Sequence, residues 1–193
     1  MQGKSYGAVM VAAFLAALLY FSPSMAAPPL TTYGKLPGFE LAAISSSGDH
    51  VAIIGNVDGE RRLIVLDKEN KPLLIQNIGQ LKVRELDWAG DDRVLLTRSN
   101  TANLGIGFTA NKAELYSTLV IPIDGGKAWD VLSTRRNVTG GIRANYGLTQ
   151  RGGRWYGYFS AMTLDSGITG NLLLTTANPA LYEVDLQTGK LSN

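Results

Sequence analysis

The chain has 193 residues, a formal net charge of +2, one His and no Cys. That length fits one domain, and a 45% hydrophobic fraction excludes a disordered chain. With 18 basic and 16 acidic residues interspersed there is no field for nucleic acid, and without cysteine no disulfide framework can form.

The first element is a leader. Lys4 supplies a short basic region, and residues 8–21 form an uncharged apolar run, too short for a comfortable membrane span. Pro23 breaks the run, and Ser24-Met25-Ala26 places small residues at the positions a signal peptidase reads. Residues 1–26 are therefore expected to be a signal-peptide helix, cleaved after Ala26. The mature chain is expected in the periplasm or outside the cell, with membrane attachment only through an uncleaved leader. Residues 27–38 read as an N-terminal linker.

Beyond Pro29 no stretch carries a helical period. The 22 glycines punctuate short runs of β-branched, Leu and aromatic residues, the pattern of strands joined by turns. The first unit, about 39–77, opens with a strand at 41–44, a polar turn at 45–50 and a second strand at 51–54. Asn56-Val57-Asp58-Gly59-Glu60 lacks the terminal Glu of a calcium loop and predicts an Asp-Gly hairpin turn. A strand at 63–67 then ends in Asp67. The Arg61-Arg62 pair in this unit, like Arg135-Arg136 later, is expected at solvated strand ends.

The second unit, about 82–133, repeats the plan: strands at about 83–88, 93–98, 114–123 and 128–132, with a loop from Asn100 to Lys112. Pro122 cannot donate to a ladder, so an edge or bulge position is expected for it. The third unit, about 142–193, pairs 144–148 with 155–159, carries a loop from Met162 to Asn178, and reaches a strand at 181–185. Asp67, Asp124 and Asp185 close equivalent strands and stand 57 and 61 positions apart (67 to 124, 124 to 185). A short carboxylate at that point can accept the backbone N–H groups of the following turn, with Gly supplying positive φ two or three residues on. Consecutive apolar residues such as Ile64-Val65-Leu66 and Val94-Leu95-Leu96 predict strands covered on both faces. The fold class expected is all-β: a partial β-propeller of about three four-stranded antiparallel blades over residues 39–193.

Several residues could suggest chemistry and are read otherwise. Asp91-Asp92 is expected to be a solvated turn, because adjacent acids diverge while hard cations want converging oxygens. Gly105-Ile106-Gly107 is followed by no helical pattern, which argues against a nucleotide cradle. His50 is expected to be a turn residue, and Trp88, Trp129, Trp155 and Tyr156 to pack between blades. No catalytic, cofactor-binding or metal-ligating residue is expected in this chain, and no cofactor.

Leu36-Pro37-Gly38-Phe39, leading into Ile44-Ser45-Ser46-Ser47-Gly48-Asp49-His50-Val51-Ala52, resembles the opening blade of the prolyl oligopeptidase family. Asn56-Val57-Asp58-Gly59-Glu60-Arg61-Arg62-Leu63 and Leu86-Asp87-Trp88-Ala89-Gly90-Asp91-Asp92-Arg93-Val94 extend the resemblance. It implies the substrate-gating propeller of an exported serine peptidase, with peptide substrates and a C-terminal α/β-hydrolase domain absent from this chain as partners. The Gly-x-Ser-x-Gly elbow of that hydrolase occurs nowhere between Met1 and Asn193, so none of the family's catalytic set maps onto this sequence. A periplasmic TolB-like binding or scaffold propeller is the alternative, because Ser-x-x-Gly-x-x-Val-Ala hairpins occur there too. Three blades also leave two sheet faces uncovered, which predicts association between chains.

Overall fold

A computed structural model describes residues 38–104, 109–166, 172–173 and 179–192. The expected leader, nearly all of the linker, and Gly105-Ile106-Gly107 lie outside the described residues. Within them the protein is all-β, with no helix, and forms three four-stranded antiparallel sheets, as a partial propeller requires. The first sheet contains β1 (Phe39–Ile44), β2 (His50–Val57), β3 (Glu60–Asp67) and β4 (Pro72–Asn77) in that order. The second contains β5 (Lys82–Ala89), β6 (Arg93–Asn103), β7 (Lys112–Pro122) and the two-residue β8 (Trp129–Asp130). The third runs β9 (Ala144–Arg151), β10 (Arg154–Met162), β13 (Pro179–Asp185) and β14 (Leu191–Ser192). A separate ribbon, β11 (Asp165–Ser166) with β12 (Leu172–Leu173), sits between β10 and β13 in the chain.

Local chemistry sets the turns. Asp58 (φ 55°) and Gly59 (φ 83°) join β2 to β3 in the left-handed region at both central positions, which an Asp-Gly pair tolerates and which suits the strand twist. The three strand-ending aspartates act as expected. Asp67 Oδ1 accepts the amides of Glu69 (2.9 Å) and Lys71 (2.8 Å). Asp124 Oδ1 accepts that of Gly126 at 2.9 Å, and Asp185 Oδ1 those of Gln187 (2.9 Å) and Thr188 (3.1 Å). The positive-φ residue differs from the glycine expected two or three positions on: it is Asn70 after Asp67, Gly125 directly after Asp124, and Gly189 four residues after Asp185.

Alternation then divides the side chains between two cores. Ala52, Ile54, Leu63 and Val65 of the first sheet pack on Trp88, Val94, Leu96 and Ile121 of the second. The opposite face of the second sheet, with Ala89, Leu95 and Val120, packs on Phe159, Tyr182 and Val184 of the third. Val94, Leu95 and Leu96 are all buried because one sheet is covered on both sides. Pro122 stands opposite Arg93 at the end of β7, while β8 pairs only with Leu119 and Val120, so no outer strand needs its missing N–H.

Two expectations change. The loop between the second and third strands of the second unit is shorter than 100–112, because pairing continues out to Asn103 opposite Lys112. Arg61 is not solvated: its side chain is 12% exposed and its Nε and Nη2 donate to the two carboxylate oxygens of Glu40, each at 2.7 Å. Its Nη1 donates to the carbonyls of Gly79 (2.9 Å) and Leu81 (2.7 Å), fastening the segment between the first two sheets. The hydrogen bond from Arg61 holds the Glu40 carboxyl below its ordinary value, and the same bond raises Arg61.

Candidate functional site

Strand alternation places Lys82 on β5, Ser99 and Thr101 on β6, and Glu114 and Tyr116 on β7 on one face of the second sheet. A bulge between Val83 and Glu85 brings Arg84 to the same cluster. Glu114 is its centre. Its Oε1 accepts from Ser99 Oγ (2.6 Å), Arg84 Nη2 (3.2 Å) and Lys82 Nζ (3.3 Å), and its Oε2 from Thr101 Oγ1 (2.7 Å). Arg84 Nε also donates to Ser99 Oγ at 2.7 Å, and Lys82 Nζ to Thr101 Oγ1 at 2.6 Å.

These donors, the Ser99 hydroxyl foremost, hold the Glu114 carboxyl at about 2, well below its ordinary 4.5. A carboxyl lowered in the folded state contributes stability above its unfolded value and loses it as pH falls toward the folded one. Glu114→Gln is therefore expected to flatten the fall in urea midpoint between pH 4.5 and about 2. An unchanged acid limb would show that the cluster is not coupled to folding.

A groove of about 680 Å³ opens beside this cluster. Ile78 and Leu81 from the segment between sheets, with Leu115 and Tyr116 from β7, give it an apolar wall. Lys82 and Arg98 supply its charge, and no Asp or Glu lines it. Arg98 points to the opposite face of β6 from Ser99. Its Nε donates to Ser117 Oγ at 3.1 Å, and its Nη2 reaches both oxygens of Asp130 only at 3.4 Å. The main chain at 140–142 closes one end: Ile142 N donates to the Tyr116 carbonyl at 2.7 Å, a bridge from β7 toward the third sheet. On the other side of Tyr116 a smaller recess of about 340 Å³ is lined by Arg84, Glu85 and Arg143 among others. Arg143 meets no carboxylate among the described residues; its Nη1 lies 3.5 Å from Met162 Sδ.

The residues weighed in the sequence lie elsewhere. His50 is the first residue of β2 and not a free turn residue. Its ring stacks on Trp88 (6.0 Å between centroids, 22° between planes), and its Nδ1 lies 3.0 Å from the Asp91 carbonyl. Asp91 is not merely solvated: its Oδ1 accepts the Ser47 amide at 2.9 Å, tying the β5–β6 turn to the β1–β2 turn and lowering the Asp91 carboxyl. Asp92 pairs with Arg93. Trp88 is buried in the first core and donates Nε1–H to the Ala43 carbonyl at 3.1 Å; Trp129 and Trp155 border the second core. Tyr156 lies under the Arg151 guanidinium, 4.4 Å from its ring centre. Among the described residues no three His, Cys, Asp or Glu side chains converge as metal ligands. Sequence reasoning singled out none of the groove residues; the available signal was the polar alternation Lys82/Arg84, Ser99/Thr101 and Glu114/Tyr116 on neighbouring strands.

No family model matches the chain, and no curated protein matches it. Among solved structures it is similar to cobalt-substituted Synechocystis ACO, at 11% identity and a TM-score of 0.39, over 78% of this chain and 36% of that one. It is also similar to an ACO/RPE65 chimera, at 11% identity and a TM-score of 0.42, over 89% of this chain and 42% of that one. The chain thus spans less than half the length of either, and likeness of this degree assigns it no substrate, cofactor or reaction. Neither neighbour is a peptidase propeller or a TolB-like propeller. The expected role as the gating segment of a prolyl oligopeptidase-type peptidase is corrected accordingly, and so is the TolB-like alternative. The motifs behind both have a simpler physical account: Ser45, Ser47, Asp58-Gly59 and Asp91 make the turns and turn-to-turn bonds that hold blades together.

Proposed function

We propose that this chain is an exported ligand-binding unit whose groove beside β6 and β7 takes a small molecule with an apolar body and a carboxylate head. The observation that carries this reading is the lining itself: Ile78, Leu81, Leu115 and Tyr116 share the groove with Lys82 and Arg98, with no acid among the lining residues. The volume falls within the roughly 300–1,000 Å³ typical of small-molecule sites. A guanidinium beside an apolar surface selects a carboxylate by charge-assisted hydrogen bonds, and the long Arg98–Asp130 contact leaves that of Arg98 able to change partner, whereas Lys82 is held by Thr101 and Glu114. Export rests on the leader sequence alone.

Titration calorimetry with octanoate, octanol and acetate tests the reading. Octanoate is expected to bind more tightly than octanol or acetate, since only it satisfies both the apolar and the cationic lining. Arg98→Gln is expected to weaken octanoate about tenfold or more, the scale of one charge-assisted hydrogen bond, and to leave octanol unchanged. Equal affinity for octanol and octanoate, or an Arg98→Gln variant that binds octanoate normally, overturns it.

A further inference from the structure

Two sheet faces have no sheet packed on them among the described residues, and they differ in chemistry. The outer face of the third sheet is internally satisfied: Tyr158 donates to Glu183 at 2.8 Å, Arg151 pairs with Glu183, and Arg154 with Asp185. The outer face of the first sheet is aliphatic. One cross-strand row is Ala42, Ile53, Ile64 and Ile75, and the next is Ile44, Val51 and Leu66. No polar side chain interrupts either row. Ile44 is 67% exposed and Ile75 52% exposed, with the others exposed or half-buried. The polar groups of this face stand at one end, where Arg62, Glu60 and Asn77 bond to one another.

We infer that the outer face of the β1–β4 sheet is a self-association surface, on which a second copy of this chain seats the same face about a two-fold axis. An uncharged aliphatic patch with its polar groups kept to the edge suits the core of a protein interface. Identity of the two faces matches apolar to apolar, whereas a head-to-tail contact would press these isoleucines on the ion pairs of the third sheet. Two-fold pairing needs no other surface and closes on itself. Four strands about 4.8 Å apart and six to eight residues long at about 3.3 Å each give a footprint of about 400–500 Å² per copy. Two copies then cover about 800–1,000 Å², the size of a weak, transient interface. The dimer is therefore reversible, with dissociation on the order of micromolar.

Sedimentation equilibrium and methyl-labelled NMR of the purified chain test this together. On dilution, Ile53, Ile64 and Ile75 methyl signals are expected to shift as the mass falls from dimer to monomer, while Leu181 stays fixed. Ile75→Lys and Ile44→Lys, both at exposed positions, are expected to weaken dimerisation at least tenfold, with a melting curve unchanged when measured at concentrations well below the dissociation constant. A monomer up to hundreds of micromolar, a dimer indifferent to both lysines, or dilution shifts at Leu181 would each overturn the assignment.

Discussion

Leu95→Ala and Leu96→Ala are each expected to lower the free energy of unfolding by about 2–5 kcal/mol, the range for truncating a fully buried leucine. The two residues are neighbours on β6 and point to opposite faces. Leu95 is packed in the core shared with the third sheet, and Leu96 in the core shared with the first. In a sheet buried on one side only, one of the pair would face water and its truncation would cost less than about 0.5 kcal/mol. Two large losses therefore report the stacked arrangement itself. Because the cavities open in separate cores, the double variant should lose close to the sum of the two. Urea unfolding gives all three values, and a near-silent Leu95→Ala or Leu96→Ala would disprove the double covering of the second sheet.

The second large effect is expected at Gly90, in the turn between β5 and β6. Its φ of +74° lies in the left-handed region, and a Cβ there would stand 2.7 Å from Trp155 Nε1 and 3.1 Å from Cδ1. Gly90→Ala meets both obstacles. The backbone conformation costs about 1–2 kcal/mol for a residue with a side chain, and forcing the indole aside costs about 1–3 kcal/mol more. Trp155 cannot retreat freely, since it packs against the second core and its carbonyl accepts the Leu186 amide at 2.9 Å. A double-mutant cycle with Trp155→Ala separates the two terms: the clash disappears and the backbone cost stays. Urea midpoints that show no coupling between positions 90 and 155 would mean that the turn does not touch the third sheet in solution.

Much of the fold was legible because it is encoded locally. Val94-Leu95-Leu96 announces a strand covered twice, and Asp67, Asp124 and Asp185 mark equivalent strand ends through bonds that span only a few residues. The outer part of the β6–β7 hairpin was not legible, because Asn100 and Asn103 are poor strand formers and read as loop. Pairing with β7 and the Glu114 cluster override that preference. Arg61 and Asp91 were misjudged for a different reason. Their partners, Glu40 and Ser47, lie 21 and 44 positions away, and nothing near either residue in sequence signals them. The groove was missed because it belongs to no motif; it exists only where three segments with unremarkable sequences meet. The peptidase resemblance misled because its residues are those that any such hairpin needs for its turns, so they describe blade construction and carry no information about chemistry.

The double hydrogen bonding of Arg61 has a consequence for ligand capture. Its third nitrogen grips the carbonyls flanking Gln80, and the same short segment presents Ile78 and Leu81 to the groove. The floor on which a ligand would rest is thus anchored to an ion pair inside the neighbouring sheet. Weakening Glu40, which touches no part of the cleft, would let that floor drift, so under the proposed reading a residue remote from the ligand would tune its affinity.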